Sequence, residues 1–247
     1  MNKFTNADIR KIAVAQLAKN LGCTAEDLET PENKTVVCKP VGNEGYHFFE
    51  MVCYRNATVI SVDECLKNFA EAFIEGETAF RCFEKVDILT RELHKHNKII
   101  DVGTDYYLPD MTKIKPPKAD FDIVILHGRD VETLYEDKRF GHALDYVAES
   151  ETKHDVLAVA GYINNSIIGV AAASNNYETM WAVGIDVLPE HRNKGVAAVL
   201  TSVITNEVLK KGIVPYWYCG WSNIASRNTA INSGYKSAWV TIGVEDC

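Results

Sequence analysis

The sequence has no long apolar run, no surplus of basic residues and no paired-cysteine motif, and each absence removes a class of function. No uninterrupted apolar stretch approaches the ~18 residues that suggest a membrane span, so binding in or across a membrane is not expected. The opening residues, MNKFTNADIRKIAVAQLAKN, alternate charged with apolar side chains. They contain neither an apolar h-region nor a small-residue cleavage site, which reads against a secretory leader. Lys and Arg number 26 against 34 Asp and Glu, a formal net charge of −8. A general nucleic-acid binder needs a concentrated cationic surplus to neutralise phosphates, so no nucleic-acid partner is expected. One small anion held by one local basic loop is not excluded. The seven cysteines, at positions 23, 38, 53, 65, 82, 219 and 247, are odd in number and form no CxxC pair. In a chain long enough to bury a core, that usage reads as reduced thiols in a cytoplasm. His94 and His96 stand near each other without partners at ligand spacing, so no metal is expected.

Proline is also scarce, 7 residues in 247, and two of them are adjacent in the polar run KIKPPKAD. Pro116-Pro117 can continue neither a helix nor a central strand. They set the expected boundary between an accessory domain over 1–115 and a second domain over 120–247. In the first, Thr5 caps a helix whose Ile9, Ile12, Ala13, Leu17 and Leu21 share a face, with Gly22 as its stop. The segments TVVCKP, YHFFEMVCYR and ATVISV read as strands. DECLKNFAEAFIEG reads as a helix from a cap at Asp63 to a stop at Gly76, and FEKVDILTRELHKHNKI as an amphipathic stretch. DYYLPD reads as a strand. No glycine-rich loop and no spaced group of Cys, His and acids occurs here. The expectation is a smaller α/β domain that packs against, or shapes, a site carried elsewhere.

From residue 120 onward strands and helices alternate, which predicts an α/β layer structure: a mixed sheet with helices on its faces. FDIVILHGRD is a strand, and VETLYEDKRFGHALDYVAES is expected to be helical. Asn164-Asn165-Ser166 turns a hairpin, and MWAVGIDVL is a strand ending at Pro189. The helix VAAVLTSVITNEVLKK, the strand IVPYWYCGW, the helix NIASRNTAINS and the strand KSAWVTIGV complete the chain.

The chemistry centres on VLPEHRNKGVAAVL. Val196, Val199, Leu200, Val203, Ile204 and Val208 mark one buried helix face, so the N-terminus of that helix is rigidly held with its N–H groups directed outward. Arg192 and Lys194 add positive charge, and Gly195 and Ala197 keep bulk away. Such a start binds a phosphate readily, and an ordinary solvated turn would tolerate the same residues. Neither the P-loop nor the dinucleotide glycine pattern fits, because Lys194 precedes the single glycine.

Arg192-Asn193-Lys194-Gly195-Val196-Ala197 resembles the R/Q-x-x-G-x-G/A acyl-CoA loop of the GNAT superfamily of N-acetyltransferases. IDVLPEHR upstream resembles its fourth strand entering that loop, and SNIASRNTAINSGY downstream is similar to its last conserved helix. The resemblance covers roughly Asp155 to Val244, and the wider stretch resembles a subgroup with an extra N-terminal domain. It implies a C-terminal mixed, splayed sheet flanked by helices and acetyl-CoA as co-substrate. The pyrophosphate would lie on Arg192 to Ala197, and the pantetheine arm would pair with strand backbone at Ile185 and Val187. A strand amide near Ile185 or Asp186 would polarise the thioester carbonyl, and Gly184 would allow a bulge that starts the splay. Asn223 and Ser226 would contact the CoA arm, or Ser222 or Asn223 would simply cap a helix.

The resemblance further implies direct attack by the amine of a small molecule or aminoacyl compound. Many members place a Tyr acid four residues before the glycine of the last helix, and here that residue is Ala230. Tyr216 and Tyr218 are substitutes on the fifth strand, with ordinary sheet packing as the other reading. Asp186, an acid inside an apolar strand, is either a base or a carboxylate tied to backbone or to Arg192. Glu178 stands at that strand's entrance, where the resemblance implies a catalytic base, with a solvated loop acid as the other reading. His191 and Cys219 are weaker candidates. The competing function is a CoA-binding sensor or scaffold that has lost catalysis, motivated by Ala230. Members with two domains often pair, so a homodimer is one expected arrangement.

Overall fold

The computed structural model of the chain describes residues 4–38, 47–114, 118–144, 146–147, 152–153 and 155–247. The linker residues Pro116 and Pro117 lie outside them. The chain divides into two compact units, one of Met1–Ala13, Tyr107–Tyr218 and Asn223–Lys236, the other of Val14–Tyr106, Cys219–Ser222 and Ser237–Cys247. Among the described residues no helix is long and apolar enough to cross a membrane.

Helix α1 (Asn6–Leu21) begins where its sequence predicts. Thr5 Oγ1 accepts from the Asp8 amide at 3.2 Å and the Asp8 carboxylate accepts from the Thr5 amide at 2.8 Å, a reciprocal capping box. Gly22 follows at φ 71, a left-handed stop. Helix α2 (Ala25–Glu29) carries a second capping box, between Thr24 and Asp27. Strands β1 (Lys34–Val37), β2 (Phe49–Tyr54) and β3 (Ala57–Val62) come next, with β3 parallel to β1 and antiparallel to β2. All six residues of β3 are buried, so both its faces are covered and its apolar run does not alternate. Helices α3 (Lys67–Ile74), α4 (Ala79–Cys82) and α5 (Val86–His94) follow, then β4 (Lys98–Ile100) and β5 (Thr104–Pro109). Phe49, Met51, Ile60, Leu66, Phe73, Leu89 and Leu93 form the core of this unit.

The other unit is built on β6 (Asp122–His127), β9 (Asp155–Ile163), β10 (Ser166–Ser174), β11 (Met180–Val187) and β12 (Val214–Gly220), with β7 (Tyr146–Val147) and β8 (Thr152–Lys153) as a short separate pair. Sheet order is β12-β11-β10-β9-β6, and of these pairings only β11 with β12 is parallel. The β9–β10 hairpin turns at Asn164 (φ 49) and Asn165 (φ 62), the doubly left-handed geometry that asparagine tolerates. Helices α6 (Val196–Lys210) and α7 (Ile224–Asn232) flank β12 in sequence, and β13 (Tyr235–Asp246) ends the chain. Within the second unit, β13 pairs antiparallel with β2 and with β4.

Alternation along β9, β10 and β11 gives their sheet two distinct faces. One packs on α6: an added Cβ at Gly161 or Gly169 would meet the Leu200 side chain at 3.4 and 3.1 Å, so glycine lets the helix approach. The opposite face carries Ala158, Ala160, Val170 and Ala172 under Val131, Leu134, Phe140 and Ala143. This cover corrects the helix expected over residues 131–150. The segment forms 3₁₀ turns at Gly128–Leu134 and Lys138–Phe140. The residues 145 and 148–150 of that expectation lie outside the described part. Three-residue spacing of Val131 with Leu134, and of Phe140 with Ala143, suits 3₁₀ geometry as well as an α-helix. Asp137 decides against continuation: its carboxylate accepts from the Arg139 amide at 3.2 Å and from the Arg139 guanidinium, a local bond that competes with the helical ladder.

Candidate active site

The first component is the start of α6. Asn193 (φ 59) and Gly195 (φ 83) both adopt left-handed backbone, turning the chain sharply from the 3₁₀ turn Pro189–His191 into the helix. Gly195 occupies the cap position without a side-chain cap bond. The first helical bond runs from the Val199 amide to the Gly195 carbonyl at 3.1 Å, so the amides of Val196, Ala197 and Ala198 have no acceptor within the helix. A Cβ at Gly195 would meet nothing within 4 Å, and Arg192, Asn193 and Lys194 are exposed. The Arg192 Nε donates to the Val187 carbonyl at 2.8 Å, which fixes the guanidinium against the end of β11. The loop is therefore open, cationic and rich in amides.

The second component is a parted strand pair. β11 meets β12 only at Met180–Val214, Trp181–Pro215 and Ala182–Tyr216, while its other edge stays paired with β10 through to Val187. The Val214 amide bonds the Thr179 carbonyl, and the Leu188 amide bonds the Ile168 carbonyl. Odd residues of β11 therefore direct N–H and C=O toward β12 and even residues toward β10. Beyond Ala182 the backbone groups of Val183, Ile185 and Val187 face the gap, whereas the Asp186 amide is turned to β10. The expected bulge at Gly184 is absent, since Ala172–Gly184 pairs in continuous register. Glycine stands there for another reason. A Cβ would lie 2.7 Å from the Ala143 carbonyl oxygen and 3.0 Å from that of His142, so the turn 141–143 sits directly on the strand.

Asp186 lies on this same covered face. Its side chain is half-buried and its Oδ2 accepts from the His142 amide at 2.7 Å, so of the two structural ties its sequence allowed, backbone is the one formed. Tyr216 and Tyr218 share the face as well, because Tyr216 is in register with Ala182. Tyr216 is buried and Tyr218 is 51% exposed, their rings stacked with centroids 6.0 Å apart. Tyr218 is the first of them past the last paired residue, at the edge of the gap. Sequence reasoning passed over Tyr177, whose ring lies 6.1 Å from that of Tyr216 and extends the row. Its signal was faint, a lone aromatic in the polar loop SNNYET. Glu178 is exposed on the same loop.

Asn223 caps α7, its Oδ1 accepting from the Ser226 amide at 3.1 Å, and the Ser226 hydroxyl accepts from Trp217 Nε1 at 2.9 Å. Ala230 is fully buried. Tyr235, the aromatic that follows Gly234, is buried with its hydroxyl 2.7 Å from Thr205 Oγ1, and burial pushes its phenol well above the usual range. His191 is half-buried in the turn and Cys219 is a buried cysteine outside any disulfide. Among the described residues no three His, Cys, Asp or Glu side chains group as metal ligands.

Residues 154–239 match the family model for GNAT acetyltransferase, a span that holds β9 to β12, α6, α7 and the start of β13. No curated protein matches the chain. Among solved structures, an acetyltransferase from the GNAT family of Colwellia psychrerythraea is 16% identical over 66% of this chain and 63% of that one, with a TM-score of 0.44. A GCN5-related N-acetyltransferase from Kribbella flavida is 17% identical over 64% and 63%, TM-score 0.45. A GCN5-related N-acetyltransferase-like protein from Streptococcus suis is 12% identical over 97% and 99%, TM-score 0.48. The chain thus spans 63% of the length of each of the first two. The similarity to the GNAT acetyltransferase family thus covers the segment 154–239, which holds the ordered strand, loop and helix described above.

Proposed function

We propose that the chain is an acetyl-CoA-dependent N-acetyltransferase acting on a small-molecule or aminoacyl amine by direct attack in a ternary complex. Residues 120–247 would carry catalysis and 1–115 the accessory role. The observation that carries this reading is a coincidence of two open donor sets: the α6 amides behind Arg192 and Lys194, and the unpaired β11 edge that runs into them. An acyl-CoA needs both, one for its diphosphate and one for an arm bearing two amides. Gly195 leaves room for the diphosphate, and the backbone groups of Val183 and Ile185 with the Val187 amide offer the arm a strand to pair with, the Val187 carbonyl being held by Arg192. The bound co-substrate supplies the activated acetyl group.

The chain's residues supply the rest. Of the two amides that could polarise the thioester carbonyl, Ile185 is favoured, because its N–H faces the gap while that of Asp186 faces β10. One such donor is worth about 3 kcal/mol. An alkylamine arrives protonated, so a base must take its proton directly or through water. Asp186 is assigned that role: its carboxylate lies on the acceptor face beside the gap, and the His142 amide fixes its orientation. Tyr218, a half-exposed residue at the gap, is assigned proton delivery to the leaving thiolate in place of the residue that Ala230 does not provide. Glu178 lies at the far end of the tyrosine row, where its carboxylate attracts a cationic amine. Asn223 and Ser226 already hold each other and Trp217, which supports a framing role beside the CoA arm.

The test is a thermal-shift titration with CoA, followed by free-thiol release from acetyl-CoA with an amine panel. At 100 times its dissociation constant the ligand adds about 2.7 kcal/mol. No shift with CoA, or a shift that survives Arg192→Ala with Lys194→Ala, would overturn the assignment of the loop. Tyr218→Phe and Asp186→Asn are expected to lower kcat while leaving the CoA shift in place.

A further inference from the structure

The row Tyr177–Tyr216–Tyr218 runs away from the gap on the face opposite α6, and it has a directional character that a sheet surface need not have. Its inner ring is buried, its outer rings are 37% and 51% exposed, and successive centroids are 6.1 and 6.0 Å apart. The end remote from the gap is the loop holding Tyr177 and Glu178, before β11 and β12 part. A phenol ring presents a negative face, and a cation within about 6 Å of its centroid is attracted to it, more strongly where water is partly excluded. Glu178, the next residue, adds charge of the same sign, and the chain's net charge of −8 does not oppose it. An uncharged alkyl tail would gain only contact area from this surface. A second ammonium, placed one or two ring steps from the reacting amine, would gain electrostatic attraction at Tyr177.

We propose that Tyr177 is a specificity residue that receives a second cationic group of the acceptor, so that the acceptor class is a linear diamine or polyamine. This rests on the acetyl-transfer reading above. Tyr177 acts through its ring and Glu178 through its charge; neither touches the acetyl group. The row's length favours amines whose two nitrogens are separated by several methylenes.

The experiment compares 1,6-diaminohexane with heptylamine, near-isosteres that differ in one terminal charge, by calorimetric binding without acetyl-CoA and by kcat/KM with it. The wild-type protein is expected to prefer the diamine in both. Tyr177→Leu should weaken diamine binding and raise its KM about 3- to 10-fold while leaving heptylamine and CoA affinity unchanged. Tyr177→Phe, which keeps the ring, should restore the preference, and Glu178→Gln should reduce it in a salt-dependent way. Equal binding of the two amines by the wild-type protein, or equal losses for both in Tyr177→Leu, would overturn the proposal. Because amine binding is read without acetyl-CoA and CoA binding is read separately, failure of acetyl transfer stays distinguishable from failure of diamine selectivity.

Discussion

Gly184→Ala tests whether the turn 141–143 and β11 form one rigid piece. The added methyl would sit 2.7 Å from the Ala143 carbonyl oxygen and 3.0 Å from that of His142, both backbone atoms that cannot rotate away. Either the turn lifts or the strand bends. Overpacking of this kind costs about 1–3 kcal/mol. Lifting the turn also strains the bond from the His142 amide to Asp186, and hydrogen bonds to charged groups contribute about 1.5–3 kcal/mol. A total near 2–4 kcal/mol is expected, since the two losses share one displacement and do not add fully. Gly195→Ala is the control. There the methyl meets nothing, and the cost is only that of left-handed backbone at φ 83, about 1–2 kcal/mol. Urea unfolding followed by tryptophan fluorescence gives both values. Acetyl transfer should fall in Gly184→Ala even at temperatures where it is fully folded, because Asp186 loses its orienting donor. A Gly184→Ala protein within 0.5 kcal/mol of wild type, with unchanged activity, would refute the reasoning; that bound is about the size of ordinary surface substitutions.

Three further outcomes are expected. Asp110 is held at about 2 by hydrogen bonds from the Thr112 and Asn6 side chains, then by the Thr112 amide and the Lys236 charge, working against desolvation. Its folded pKa lies below the unfolded value, so its contribution is present above about pH 4 and fades as pH falls toward 2; the urea midpoint of Asp110→Asn should lose less between pH 5 and 2.5 than that of wild type. Asn223→Ala removes the α7 cap and should cost about 1 kcal/mol by urea unfolding. Tyr235→Phe leaves the buried Thr205 hydroxyl without its partner and should cost about 1–3 kcal/mol, with Thr205→Val in the same background recovering part of it.

The start of α6 was legible in the sequence because local chemistry alone dictates it. Proline, two cations and a glycine precede a 3.6-residue apolar stripe, and the glycine does take left-handed backbone. The hairpin was legible for the same reason, since two asparagines suffice to turn it. The alternation of strands and helices was enough for the layer class. What a neighbour decides was not legible. The stripe of Val131, Leu134, Phe140 and Ala143 fits two helix types, and Asp137 settles the choice through a bond to Arg139 that spacing does not reveal. Gly184 likewise announced an unusual backbone need, yet only the position of His142 and Ala143 separates a bulge from a close approach.

The same distinction explains why the proposed acceptor face was the hardest part to read. The proposed co-substrate side is made of consecutive residues, Val183 to Ala197, and one continuous chain can encode a strand edge followed by a helix start. The proposed acceptor side joins Tyr177 and Glu178 from a loop, Asp186 from β11, Tyr216 and Tyr218 from β12, and His142 from a turn far upstream. Period-2 alternation places Tyr216 with Tyr218, and equally places Gly184 with Asp186, but it cannot align one strand with the other. That alignment comes from three paired rows, of which Ala182 with Tyr216 is the last. Those rows bring the tyrosines level with the point where β11 loses its partner. A site assembled this way is constrained in register, so shifting β12 by one residue would turn Tyr216 and Tyr218 to the helix face and Trp217 to the acceptor face. The buried Trp217 indole prevents that slip, because its N–H is bonded to Ser226 on α7 and its ring meets Tyr235 at 5.9 Å. The residues that fix the acceptor face are therefore on the opposite side of the sheet from it.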